Sequence, residues 1–217
     1  MSAQLRIYVP PHPLIKHWLT VARDRNTPTV LFKSAMTELG RWLTYEAIRE
    51  WLPTQEITVE SPLKACQGTV IDPEKPLVVI PILRAGLALL DGAQTLLPLA
   101  SIYHLGLSRN EETLEPSCYL NNLPEQFAPE TRVVILEPML ATGGSIMTAM
   151  EEITSRGVEA SYVRIISVVA APPALQKLSA AYPNLNIYSA IIDEGINDRG
   201  YIVPGLGDAG DRSFGTY

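Results

Sequence analysis

VVILEPMLATGGS, residues 133–145, is an apolar run that ends in an acid and then passes through small residues toward a helix. A continuous apolar run of this kind suits a strand buried on both faces. The residues behind it suit an anion. Consecutive backbone N–H groups at a helix start converge, and the helix dipole favours negative charge there. Gly143 and Gly144 let a ligand approach the backbone, and Thr142 and Ser145 add hydroxyl donors. Glu137, at the strand end, can accept hydrogen bonds from ribose hydroxyls. A bare strand-to-helix turn shares the loop's composition, but the acid and the apolar strand before it favour a ligand. Two other motifs fail. An ATP-type loop needs a lysine after its glycines, and none follows. The G-x-S-x-G elbow needs a glycine where Met147 stands.

Outward from this stretch, strands are predicted at Leu77–Leu83, Ser101–Leu107, Arg132–Leu136, Tyr162–Ala170 and Ile187–Asp193. Helices are predicted at Ala85–Leu97, from the glycine loop to about Arg156 with Gly157 as its C-cap, and at Pro172–Tyr182. Nearer the N-terminus a short helix is expected around Leu14–Arg23. Thr27 reads as an N-cap with Pro28 at the first helical position. Leu31, Ala35, Leu39, Trp42, Leu43, Ala47 and Trp51 then recur at three- and four-residue steps, the pattern of an amphipathic helix. Residues 55–71 alternate loosely around Pro62 and Gly68 and suit an edge hairpin. Residues 108–131 are polar, with prolines at 116, 124 and 129; such long stretches are often functional, and a flexible flap or hairpin is expected.

Strands alternating with helices imply an α/β fold: a mostly parallel central sheet flanked by helices, joined by right-handed crossovers. In such sheets ligands bind beyond the carboxyl ends of the strands. A length of 217 residues suits one domain, 1–217. The net charge of −6, from 17 basic and 23 acidic residues, argues against a nucleic-acid or anionic-membrane surface. No apolar run approaches the ~18 residues of a membrane span, and the N-terminus lacks a signal-peptide pattern. Two isolated cysteines, Cys66 and Cys118, point to a reducing, cytoplasmic setting. His12, His17 and His104 show no metal-ligand or triad spacing and read as ordinary structural or surface residues.

The segment Glu137–Ser145 resembles the PRPP-binding motif of the type I phosphoribosyltransferases, where PRPP is 5-phosphoribosyl 1-diphosphate. Within that superfamily it resembles the uracil phosphoribosyltransferases, whose usual form is aspartate followed by Pro-Met-Leu-Ala-Thr-Gly-Gly-Ser. Four further blocks match in the same order: HPLIKHWLTVARDRNTPT (12–29), PILRAGLALLDG (81–92), LSRNEETLEP (107–116) and GYIVPGLGDAGDRSFGT (200–216). The likeness spans nearly the whole chain.

The resemblance implies the type I phosphoribosyltransferase fold, with a flap hairpin at about 108–131 and a C-terminal base-binding hood at about 193–217. It implies transfer of the phosphoribosyl group of PRPP to uracil, giving UMP and diphosphate. Arg84, Arg109 and Asp208 become the catalytic candidates. PRPP would meet Arg84, Arg109, Asp208 and the run Glu137, Pro138, Met139, Leu140, Ala141, Thr142, Gly143, Gly144 and Ser145. Uracil would be read by backbone groups of Ile202, Gly207 and Ala209, with Asp208 beside them. Magnesium (Mg2+) is the implied cofactor, held indirectly by Asp208 with PRPP oxygens. Glu111, Glu112 and Glu115 read as a solvated charged run. A homodimer or higher homo-oligomer is implied, and GTP is an effector in some members. Two positions depart from the pattern: Glu137 stands for the usual aspartate, and Asn110 for an aspartate after the flap arginine. Two other readings stay open here. A non-catalytic PRPP or nucleotide sensor would bind ligand without turnover, and a relative acting on a purine would reveal itself in a panel of bases.

Overall fold

The computed structural model describes residues 4–109 and 116–216. The chain begins with β1 (Arg6–Tyr8), α1 (Pro13–Arg23) and α2 (Thr29–Ile48), followed by the hairpin β2 (Thr54–Glu60) and β3 (Ala65–Ile71). Next come β4 (Leu77–Leu83), α3 (Leu87–Gln94), β5 (Ser101–Ile102), β6 (Leu105–Arg109) and β7 (Pro116–Asn121). The second half runs β8 (Arg132–Leu136), β9 (Met139–Leu140), α4 (Gly144–Thr154), β10 (Val163–Ala170), α5 (Pro172–Ala181) and β11 (Asn186–Ile192). It closes with β12 (Gly195–Ile196), β13 (Ile202–Val203) and α6 (Ala209–Phe214).

The central sheet has the order β1-β11-β10-β8-β4-β6-β7, and every neighbour is parallel except β6 with β7. Its inner strands are apolar on both faces because helices cover both. Val79, Val134, Leu136, Ile166 and Val168 pack in the core shared with α1, α2 and α3. Val78, Ile80, Val133, Ile135 and Ile165 point the other way, into the core under α4 and α5. After β4 the chain moves outward to β6 and β7, then returns to place β8 on the other flank of β4. The carboxyl ends of β4 and β8 therefore lie side by side where the strand order reverses, the usual ligand position in such sheets.

Several local expectations are revised. Residues 55–71 do form a hairpin, but it is a separate two-stranded sheet running from the Thr54–Ile71 pair to the Glu60–Ala65 pair, not an edge of the central sheet. The strand expected at 101–107 is broken. β5 pairs with the start of β4 and β6 with its end, and the Tyr103 amide bonds Val79 O across the gap at 3.1 Å. Pro28 is the N-cap of α2, not its first residue, because its carbonyl accepts the first helical bond from the Phe32 amide at 2.9 Å. The Thr27 hydroxyl instead donates to Val21 O. The buried stripe of α2 runs through Phe32, Ala35, Met36, Leu39, Leu43 and Ala47, leaving Leu31 exposed. In the expected flap, β6 and β7 pair from Leu105–Asn121 to Arg109–Pro116, and Asn110 to Glu115 lie outside the described residues.

Candidate active site

A cleft of about 770 Å³ opens at the carboxyl ends of β4 and β8. One wall is the glycine loop and the start of α4. The facing wall is the C-terminal tail, and Ala85 and Leu107 contribute from the ends of β4 and β6.

The glycine loop is aimed by the strap before it. Pro138 is buried, and its carbonyl accepts the amides of Val168 (2.9 Å) and Val169 (3.0 Å) and the Ser167 hydroxyl (3.1 Å). β9 then runs beside β10, and the Ala171 amide bonds Leu140 O at 2.8 Å. Pro138 thus holds the strap, while Met139 through Ser145 face the cleft. Gly143 turns the chain at φ 85°, and its carbonyl accepts the Met147 amide at 3.0 Å, starting α4. A Cβ at Gly143 would sit 3.0 Å from the Ala174 Cα, so α5 closes the space behind the turn. The first-turn amides of α4 have no intrahelical acceptor and are available to an anion.

Glu137 lies at the end of β8, lines the cleft and is 8% exposed. Burial pushes its carboxyl up to about 8, against the smaller opposing effect of a hydrogen bond from the Met139 amide. It is therefore mostly a neutral acid near pH 7, able to donate as well as accept a hydrogen bond.

Arg84 follows β4 and is exposed. It does not line the cleft; its neighbour Ala85 does. Its guanidinium donates to Asp211 on α6 at 3.1 Å. The Leu83–Arg84 peptide is cis. Gly86 allows this turn to press on β8, since a Cβ there would fall 2.4 Å from Leu136 O. Arg109 ends β6, and its side chain lies outside the described residues.

Ile202, Gly207, Asp208 and Ala209 all face the cleft. Ile202 and Ala209 are buried, whereas Asp208 is exposed and caps α6, its Oδ1 accepting the Asp211 amide at 2.9 Å. The short helix α6 (Ala209–Phe214) in this tail was not among the helices expected from the sequence. Sequence reasoning also missed Asp198, Arg199, Gly200 and Tyr201, which line the same wall. Their signal was the turn-forming run from Asn197 to Gly200: Asn197 Oδ1 accepts the amides of Arg199 and Tyr201, each at 3.0 Å.

Among the described residues no three His, Cys, Asp or Glu side chains cluster as a metal site. Asp208 and Asp198 each present an exposed carboxylate to the cleft, too few protein ligands to hold a cation by themselves, which fits an ion carried mainly by substrate oxygens. No helix among the described residues is long and apolar enough to cross a membrane.

A family model described as uracil phosphoribosyltransferase matches residues 9–216. A uracil phosphoribosyltransferase from Nostoc sp. (strain PCC 7120) is 74% identical over 216 residues, covering 100% of both chains. One from Synechocystis sp. (strain PCC 6803) is 68% identical over the same span, again covering 100% of both. Among solved structures, the AQ2163 protein from Aquifex aeolicus superposes with a TM-score of 0.89 at 39% identity, covering 97% of this chain and 98% of that one.

Proposed function

The chain belongs to the uracil phosphoribosyltransferase family, and on that premise we propose that the cleft at the ends of β4 and β8 is where PRPP and uracil meet. The enzyme transfers the phosphoribosyl group of PRPP to uracil, giving UMP and diphosphate, and so salvages the free base. The observation that carries the site assignment is the facing of two walls. An anion-ready helix start, Ala141–Ser145, stands opposite a tail whose residues Ile202, Gly207 and Ala209 line the same cleft.

In this reading the amides of Ala141–Ser145, with the Thr142 and Ser145 hydroxyls, hold the 5-phosphate of PRPP. Glu137 meets the ribose hydroxyls. Arg84 and Arg109 take the diphosphate, with guanidinium forks matched to its oxygens. Peptide groups of Ile202, Gly207 and Ala209 read the carbonyl–NH–carbonyl edge of uracil. Cytosine, with an amino group and a bare ring nitrogen on that edge, would leave buried polar groups unpaired.

The reaction is a substitution at ribose C1. The bond to the diphosphate oxygen breaks and diphosphate departs with its electron pair. Uracil N1 forms the new bond and gives up its proton. No protein nucleophile is required; the residues act by holding the reactants in line and stabilising departing charge. Magnesium bound with PRPP would neutralise part of that charge, and Asp208 is the residue that would hold it, through PRPP oxygens. GTP control and a homodimer or higher homo-oligomer rest on the family resemblance alone. A cytoplasmic location is supported by Cys66 and Cys118, both free and exposed.

Crystals soaked with UMP test the assignment. Phosphate on the Thr142–Ser145 amides with the base against Ile202 and Gly207 supports it. Phosphate bound elsewhere overturns it.

A further inference from the structure

Gly205 and Leu206 lie between the proposed uracil readers Ile202 and Gly207, and two side chains of opposite charge hold them. Asp193, just past β11, is 6% exposed. Its Oδ2 accepts the Gly205 amide at 2.9 Å, and its Oδ1 pairs with Arg23 at the end of α1. Its own amide bonds Ala170 O at 2.8 Å, tying it to β10. Arg212, on α6, donates through Nη1 to Leu206 O and to Ala22 O, each at 2.6 Å, and through Nη2 to Asp24 O at 2.6 Å. Its guanidinium lies over the Phe32 ring at 4.2 Å. One peptide N–H and the next residue's carbonyl are thus each held by a charged group, and both charged groups are anchored on Ala22–Asp24. Neither Asp193 nor Arg212 lines the cleft.

We propose that Asp193, Arg212 and Arg23 are positioning residues for base recognition, locking the peptide groups of residues 202–209 against the end of α1. The inference rests on the reading that this segment faces uracil. A site that recognises a base with backbone groups has no side chain to readjust. Its donors and acceptors must be held to within about half an ångström. The segment is intrinsically loose, with Gly205 at φ 60° and Gly207 at φ 79°. Two charge-assisted bonds at its centre remove that freedom. The opposite wall of the cleft, proposed for the 5-phosphate, has its own scaffold in the Pro138 strap, so the anchors bear more on uracil than on PRPP.

The test is steady-state kinetics with uracil varied, together with direct PRPP binding and thermal melting, for Asp193→Asn, Arg212→Lys and Arg23→Met. The KM for uracil should rise by about tenfold or more in each, the effect of losing one charge-assisted bond, while the Kd for PRPP stays within about twofold. Arg23→Met keeps the test decisive if the other two variants fail to fold, because Arg23 is partly exposed and lies off the cleft wall. Unchanged uracil KM, or uracil KM and PRPP Kd rising by the same factor, overturns the inference. Wild-type protein that makes no UMP would instead remove the reading beneath it.

Discussion

Arg84 and Asp211, 127 residues apart in sequence, meet through a single 3.1 Å hydrogen bond that links the turn after β4 to helix α6. The same Asp211 oxygen accepts the Thr216 hydroxyl at 2.8 Å. The arginine proposed for the diphosphate is thus held by the tail that carries the proposed uracil readers. Both partners are substantially exposed, so the pair itself contributes at most about 1 kcal/mol to stability. Arg84→Ala should therefore lower kcat/KM by about a hundredfold or more while moving the unfolding free energy by no more than about 1 kcal/mol. Steady-state kinetics and urea denaturation read the two quantities. Unchanged kinetics would remove Arg84 from the mechanism.

Glu137 makes the protein's behaviour depend on pH in a stated direction. Its carboxyl is raised from 4.5 to about 8 by burial, so between those values the folded chain keeps a proton that the unfolded chain loses. That contribution to stability is fully present below pH 4.5 and is lost as pH rises through about 8. Glu137→Gln, which cannot ionise, should gain stability relative to wild type across this window, as read by melting curves from acid to mildly alkaline pH. Equal pH slopes for the two proteins would contradict the buried-acid account. Ionisation above pH 8 also adds negative charge beside a polyanionic substrate, so the wild-type KM for PRPP should climb there more steeply than that of Glu137→Gln.

Gly143 sits in the left-handed region at φ 85°, with the Ala174 backbone behind it. Gly143→Ala should cost about 1–2 kcal/mol of stability. It should also raise the KM for PRPP more than that for uracil, because the distorted turn belongs to the proposed phosphate wall. A larger effect on uracil would reverse the assignment of the two walls.

Magnesium should matter to turnover and not to the empty fold. Chelation should abolish UMP formation, whereas magnesium without PRPP should leave the melting temperature unchanged, since no cluster of protein ligands exists among the described residues. A melting shift with magnesium alone would point to a resident protein site.

Local signals made the central sheet and the strand-to-helix turn of the proposed phosphate wall legible. The runs Leu77–Leu83 and Arg132–Leu136 are apolar because both faces are covered, and VVILEPMLATGGS contains the strand, acid and turn within thirteen residues. The tail is proposed as a base-binding segment only by its resemblance to a family, because its order comes from distant partners. Arg23 reaches Asp193 across 170 positions and Arg212 reaches Ala22 across 190, and no periodicity encodes such pairings. The short strands β1, β12 and β13 have two or three residues each, too few to show alternation. The substitution of glutamate for aspartate at 137 was visible in the sequence, but its neutral character at pH 7 depends on burial that only the fold reveals.

The most direct test of the account is conversion of labelled uracil by purified protein with PRPP and magnesium, with cytosine and hypoxanthine run alongside. The account predicts magnesium-dependent UMP and diphosphate in equal amounts from uracil, and no nucleotide from the other two bases. Bound PRPP without any UMP, or nucleotide formed equally well from hypoxanthine, would contradict it.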